Sequence, residues 1–126
     1  MIVESTEHFS AKELRCRCGN CEPGMDSVFM AILERVRVKY AAPLVITSAY
    51  RCPAYNAQVS GTGSDGPHTT RQAVDIAIRG TDSYDLLAIA IQEGMTGIGI
   101  KQHGNSRFIH LDNLEGPTRP WVWSYK

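Results

Sequence analysis

Two histidines and an aspartate, His68, Asp75 and His110, are the residues of this chain whose types and spacing could do chemistry. A neutral imidazole, a carboxylate and a second imidazole are three donors of the kind a catalytic zinc takes, with the fourth position left for water. Each lies in a patterned segment. In Ala73-Val74-Asp75-Ile76-Ala77-Ile78 the large apolar residues alternate, so Val74, Ile76 and Ile78 face one way. Asp75 points the other way, between the small Ala73 and Ala77. In Phe108-Ile109-His110-Leu111-Asp112 the same alternation puts Phe108, His110 and Asp112 on one face. An uncompensated carboxylate inside an apolar strand costs several kcal/mol. Asp75 therefore needs a partner, and a divalent cation serves well; an arginine is the plainer alternative.

The elements that must position these residues can be read in chain order. Residues 1–24 read as an irregular arm with a short helix near Ala11-Lys12-Glu13-Leu14, where Ser10 and Glu13 have capping-box spacing. From Asp26, a natural N-cap, Phe29, Ile32, Leu33, Val36 and Tyr40 fall on one helical face, and Pro43 marks the exit. Residues 44–48 form a short buried strand by composition, and a second short helix opens at Pro53 and runs through Val59. The eight turn formers 60–67 lead straight into His68 and fit a flexible loop at the mouth of a site. After the strand at 73–78, Asp82 is expected to cap a helix over 83–93 that Gly94 ends. Residues 97–101 and 107–112 form a hairpin turning near Gly104-Asn105, which sets His110 opposite Gly99. The tail with Trp121, Trp123 and Tyr125 packs on the body. Helices first and strands later imply one α+β domain over residues 1–126, with a small antiparallel sheet and helices on one side.

Composition bounds the rest. At 126 residues the chain can build one core without obligatory staples. Thirteen basic residues balance thirteen acidic ones, so nothing argues for nucleic acid as a partner. The longest aliphatic stretch, Leu86 to Ile91, is too short to span a bilayer, so no membrane partner is expected either. The first seven residues lack a basic n-region and an apolar h-region, which predicts synthesis in the cytoplasm. A monomer is expected.

Four cysteines admit three readings. Cys16, Cys18 and Cys21 cluster in Arg15-Cys16-Arg17-Cys18-Gly19-Asn20-Cys21, and Cys52 stands apart. They could hold a second, structural zinc, form a disulfide from the cluster to Cys52, or remain reduced thiols. A zinc ribbon wants two well-separated C-x-x-C knuckles, so this irregular spacing makes the metal the less favoured reading.

Several motifs together resemble the zinc D-alanyl-D-alanine carboxypeptidase family, which includes VanY-like enzymes and many phage murein peptidases. They are Thr47-Ser48-Ala49-Tyr50-Arg51-Cys52-Pro53, Asn56, Ser64, His68 with Ala73-Val74-Asp75-Ile76, Gly97-Ile98-Gly99-Ile100, and Phe108-Ile109-His110-Leu111-Asp112. The opening His8-Phe9-Ser10-Ala11-Lys12-Glu13-Leu14 and the closing Arg119-Pro120 with Trp123-Ser124-Tyr125 extend the resemblance over nearly the whole chain. The family is related to lysostaphin-type enzymes and to the hedgehog signalling domain, and the resemblance implies that fold. It also implies that His68, Asp75 and His110 are zinc ligands, that Arg51 holds substrate oxygens near the metal, and that Ser48 lies close to the site. The partner implied is the stem peptide of peptidoglycan. The expected activity is that of a zinc carboxypeptidase or endopeptidase acting at the cell wall, with a phage lysis enzyme as one setting.

The chain departs from the family pattern twice. Arg71 stands where the family usually has glycine; a positive φ there would strain it, and otherwise it adds charge at the pocket rim. Relatives often supply a general base two, three or five residues before the last ligand, and those positions are Phe108, Arg107 and Asn105. His103, at the hairpin tip, is on the order of 13 Å or more from His110 at strand rise. Asp112 shares the face of His110 about 7 Å along the strand. It is the expected base, with orientation of a ligand imidazole as its alternative role. Two rival readings follow: a metal-binding module that has lost catalysis, and a zinc-ribbon interaction domain built on the cysteines, which leaves His68, Asp75 and His110 unexplained.

Overall fold

A computed structural model describes all residues, 1–126. Four helices, a two-stranded ladder and a five-stranded sheet make an α+β fold. The arm begins with β1 (Ile2–Val3), which pairs with β2 (Met25–Asp26), so its base is a short ladder rather than irregular chain. Helix α1 (Ala11–Leu14) has the expected capping box: the Ser10 hydroxyl accepts from the Glu13 amide while the Glu13 carboxylate accepts from the Ser10 amide. Helix α2 (Ser27–Tyr40) starts where the Asp26 carboxylate accepts the Phe29 amide at 3.0 Å. It buries Phe29, Met30, Leu33 and Val36, and Ile32 and Tyr40 pack at the margin.

Strand β3 (Val45–Ser48) leads into α3 (Pro53–Val59), then the 60–66 loop and a 3₁₀ turn (Pro67–Thr70) that carries His68. Strand β4 (Ala73–Ala77) follows, then α4 (Thr81–Glu93). Helix α4 begins two residues before the expected start: Gly80 occupies the N-cap and Asp82 sits in the first turn. A carboxylate there complements the helix dipole as well as a cap does, which is why the two are hard to tell apart in sequence. Strands β5 (Gly97–Lys101) and β6 (Phe108–Asp112) form the expected hairpin, with Gly99 opposite His110.

The sheet order is β3-β4-β6-β5-β7, where β7 (Trp121–Ser124) runs parallel to β5. The sheet is therefore mixed: the tryptophan-rich tail packs on the body as an edge strand. Alternation sorts the sheet into two faces. Val74, Ile76, Ile98, Ile109 and Leu111 join the core cluster beneath α2 and α4. The opposite face carries Asp75, His110, Asp112 and the tail aromatics. Glycine at 97 and 99 suits that face, because a Cβ at Gly97 would strike the Asp112 carboxylate and one at Gly99 would lie 2.7 Å from Trp123 Nε1.

Arg71, the residue in the glycine position, does adopt the left-handed region, at φ 68°. Its side chain compensates. The guanidinium lies 3.9 Å from the Tyr50 ring centroid, and Nη1 and Nη2 donate to the carbonyls of Gly24 at 2.8 Å and Glu22 at 3.2 Å. Arg71→Ala keeps the strained backbone and loses these contacts, so it should destabilise by about 1–3 kcal/mol. Arg71→Gly loses the contacts but relieves the backbone, and should be the more stable of the two by about 1 kcal/mol. Urea melts of the two variants check this; coincident midpoints would remove the strain from the account.

Candidate active site

Strands β4 and β6 are neighbours, and their register puts Asp75 directly opposite His110. The 3₁₀ turn before β4 folds His68 back over the same point. Asp75 Oδ1 lies 3.2 Å from His68 Nε2 and 3.0 Å from His110 Nδ1, and the three residues are buried. One donor atom from each falls within 4.8 Å of the others, close enough to share one cation.

The second nitrogen of each imidazole decides which atom faces that point. His68 Nδ1–H donates to the Ala49 carbonyl at 2.7 Å, and His110 Nε2–H donates to Asp112 Oδ2 at 2.8 Å. With those protons placed, the His68 Nε2 and His110 Nδ1 lone pairs are directed at Asp75, the tautomers a metal requires. Where those two nitrogens carry protons instead, their hydrogen bonds overcome the burial that works against the charged form of Asp75 and hold its carboxyl well below the usual carboxylate range, the work a cation would do in their place. Burial likewise opposes a charged His110, and its bonds to Asp112 and Asp75 outweigh that and raise it. A buried carboxylate this strongly stabilised in its ionised form, between two oriented imidazoles, is a donor set suited to zinc.

Around this point opens a cavity of about 600 Å³, within the usual range for small-molecule and peptide sites. Arg51, Asn56 and the 59–62 segment form one wall, and Thr118, Arg119, Trp121, Trp123 and Tyr125 form the other. Arg51 Nε donates to Ser48 Oγ at 3.1 Å and Nη1 to Asn56 Oδ1 at 3.2 Å, while Nη2 stays 3.8 Å from Asp75 Oδ2. The guanidinium is thus braced at the rim with its charge only loosely matched. Asn56, almost fully buried, also donates to Thr62 and to the Gly63 carbonyl, tying the mouth loop to α3.

Ser48 lies close to the site but behind Arg51: it faces Asp75 across the β3–β4 ladder, and its hydroxyl is engaged by the guanidinium. It does not line the cavity. What the Ser48 hydroxyl does in this structure is brace Arg51.

Asp112 requires the larger correction. The sequence expectation set it over the attacking water; the structure places it on the far side of the His110 ring, fully buried and outside the cavity lining. Arg119 grips it in a two-pronged pair, Nε to Oδ1 at 2.9 Å and Nη2 to Oδ2 at 2.8 Å. Burial raises the Asp112 carboxyl, but His110 and Arg119 together bring it down to about 2. The alternation of β6 does put His110 and Asp112 on one face. A shared face is not a shared side of the imidazole: His110 turns Nδ1 to Asp75 and Nε2 to Asp112. His103, at the hairpin tip, bonds to the Tyr125 carbonyl and takes no part in the site.

The sequence reading missed Arg119, Trp123 and Tyr125 as site residues. Trp123 lies 5.1 Å from the His110 ring centroid, and the Arg119 guanidinium lies 5.0 Å from the Trp123 ring. Their only signal was the resemblance of the tail to the family, since nothing in the spacing tells that β7 joins the sheet beside β5.

A family model described as Peptidase M15 matches residues 7–112, a span that takes in His68, Asp75, His110, Arg51 and the cysteines. The chain belongs to the Peptidase M15 family. Comparison with curated protein sequences gives no match. M15 peptidases are zinc-dependent, and this M15 chain carries the oriented donor set just described. The matched span ends at Asp112, so the wall formed by Arg119, Trp121, Trp123 and Tyr125 lies beyond it.

Proposed function

We propose that the chain is a zinc-dependent peptidoglycan peptidase. Its substrate is a stem peptide cut at a bond involving a D-amino acid, as a carboxypeptidase or endopeptidase. The observation that carries the reading is the meeting of His68 Nε2, Asp75 Oδ1 and His110 Nδ1 at the floor of an open cavity. Bound there, zinc supplies a polarised carbonyl and a water with its pKa lowered to about 7. His68, Asp75 and His110 hold the ion, and the Ala49 carbonyl and Asp112 fix the two imidazoles. Arg51 presents a fixed positive fork to a carboxylate or carbonyl oxygen of the peptide. Trp121, Trp123 and Tyr125 offer the opposite wall to its side chains. Asp112 orients the His110 ring from behind as a positioning residue. The enzyme acts at the cell wall, and a phage lysis enzyme is the setting its family resemblance suggests.

Stripping the metal with a chelator should abolish cleavage of purified wall peptides, and stoichiometric zinc should restore it. Full cleavage by chelated protein would overturn the hydrolase mechanism.

One observation favours a second reading, a metal-holding module that binds wall peptide without cutting it. Apart from His68, Asp75 and His110, no residue lining the cavity carries a carboxylate or an imidazole. A zinc-loaded preparation that binds stem peptide but releases no product would select this reading.

A further inference from the structure

All four cysteines of the chain come together at one place, remote from the histidines in sequence and not used by the proposed chemistry. Their sulfurs lie within 4.8 Å of one another, drawn from the loop after α1 and from the residue before α3. Cys52 Sγ is 3.8 Å from Cys16 Sγ and 3.8 Å from Cys18 Sγ, and no disulfide joins any pair. A tetrahedral zinc–thiolate centre with bonds of about 2.3 Å has sulfur–sulfur edges of about 3.8 Å. The two edges from Cys52 match that length.

A backbone amide points at the cluster as well. The Cys52 amide donates to Cys16 Sγ at 3.3 Å. Gly19, at φ 77°, provides the left-handed turn inside Cys18-Gly19-Asn20-Cys21 that brings the two ends of this knuckle together. Amide donors stabilise sulfur in its thiolate form, the form that binds metal. Four neutral thiols would gain little from such an arrangement, since S–H is a weak donor and sulfur a weak acceptor.

We propose that Cys16, Cys18, Cys21 and Cys52 bind a structural zinc ion. The site has no open side for substrate, because all four positions are filled by protein, as in structural centres generally. What it would clamp is the turn carrying Arg51. The Tyr50 amide donates to the Leu14 carbonyl at 3.2 Å and the Arg51 amide to the His68 carbonyl at 3.1 Å. Cys52 then ties the same turn to the arm. Arg71, bonded to the carbonyls of Glu22 and Gly24, holds the far end of the cysteine loop. Sequence spacing disfavoured this centre because one Cys-x-x-Cys knuckle is paired with two single cysteines instead of a second knuckle. The fold supplies the missing half.

The test separates this ion from the one at the histidines. Full-length wild type should contain two zinc ions per chain by atomic emission, and His110→Ala should keep one. Cobalt loaded into His110→Ala should show the intense near-ultraviolet thiolate-to-cobalt band and the red bands of tetrahedral coordination. The double variant Cys18→Ser, Cys21→Ser should lose one zinc and the thiolate band. Because that variant can also fail to fold, native wild type is assayed directly: a thiol reagent should meet protected cysteines until a chelator is added. Immediate reaction of all four thiols in the native protein, a disulfide found by mass spectrometry, or no thiolate band in cobalt-loaded His110→Ala would each overturn the proposal. Iron takes the same ligands, and iron in place of zinc in the metal count would overturn the identity of the ion.

Discussion

His110→Ala is expected to empty the proposed catalytic centre of zinc and to slow wall-peptide cleavage by at least about a thousandfold, since zinc supplies several kcal/mol of transition-state stabilisation. The imidazole does two jobs at once. Its Nδ1 closes the donor set with Asp75 at 3.0 Å, and its Nε2 binds Asp112 at 2.8 Å. Alanine removes one of three donors and leaves Asp75 with His68 and a distant Arg51. The ring is also almost wholly buried, so its removal opens a void and some stability is lost with it. Cleavage is therefore measured where circular dichroism shows the variant folded, beside a zinc count. A folded variant that cleaves at near the parental rate would sink the assignment of His110 to the metal.

Asp112 offers the second large effect, and the two roles considered for it predict different outcomes. As a positioning residue behind His110, Asp112→Asn should weaken zinc binding by about 10–100-fold, the usual loss when a partner of a ligand imidazole is changed. Cleavage should then return as zinc is raised to saturation. If Asp112 itself accepted the proton from water, saturating zinc would restore binding but not the rate. A zinc-saturated, folded Asp112→Asn that remains inactive would thus refute the positioning role. Asp112→Ala should be harsher, because it leaves the half-buried Arg119 guanidinium and the buried His110 Nε2 without their carboxylate, at a cost of about 1–3 kcal/mol.

A pH signature accompanies this variant. The Asp112 carboxyl lies at about 2 in the folded protein against an ordinary 3.8. A depressed carboxylate contributes stability that is fully present above its ordinary value and is lost as pH falls through its folded value. The metal-free parent should therefore lose about 2 kcal/mol between about pH 4 and 2 from this group. Asp112→Asn should lack that share of the acid limb, which urea melts across the range would reveal.

The variants above probe residues that were unequally legible in the chain. Local rules carried most of the elements. The Asp26 cap and the apolar face of α2, the Ser10–Glu13 box, the Pro53 start of α3 and the Gly94 stop of α4 all depend on neighbours within a few residues, so they can be read without the fold. The β5–β6 hairpin belongs with them, since a tight turn sets its own register and hence the pairing of Gly99 with His110. Asp75, a lone carboxylate among apolar neighbours, announced that something must compensate it.

Long-range placement was another matter. That β4 lies beside β6, with Asp75 facing His110, is a pairing across more than thirty residues, and alternation within each strand is silent on it. The tail gave no sign that it would enter the sheet parallel to β5 and build a wall of the cavity. Asp112 could be put on the correct face but not on the correct side of an imidazole, because the rotamer of His110 answers to Arg119 and Trp123, which arrive from that tail. The cysteines show the same division: their spacing is a property of the chain, whereas the meeting of Cys52 with the other three is made by packing β3 against α1 of the arm. Residue types and local periodicity thus determined which groups were available for chemistry. Only the folded sheet decided which of them share an atom, since that depends on contacts whose partners are far apart along the chain.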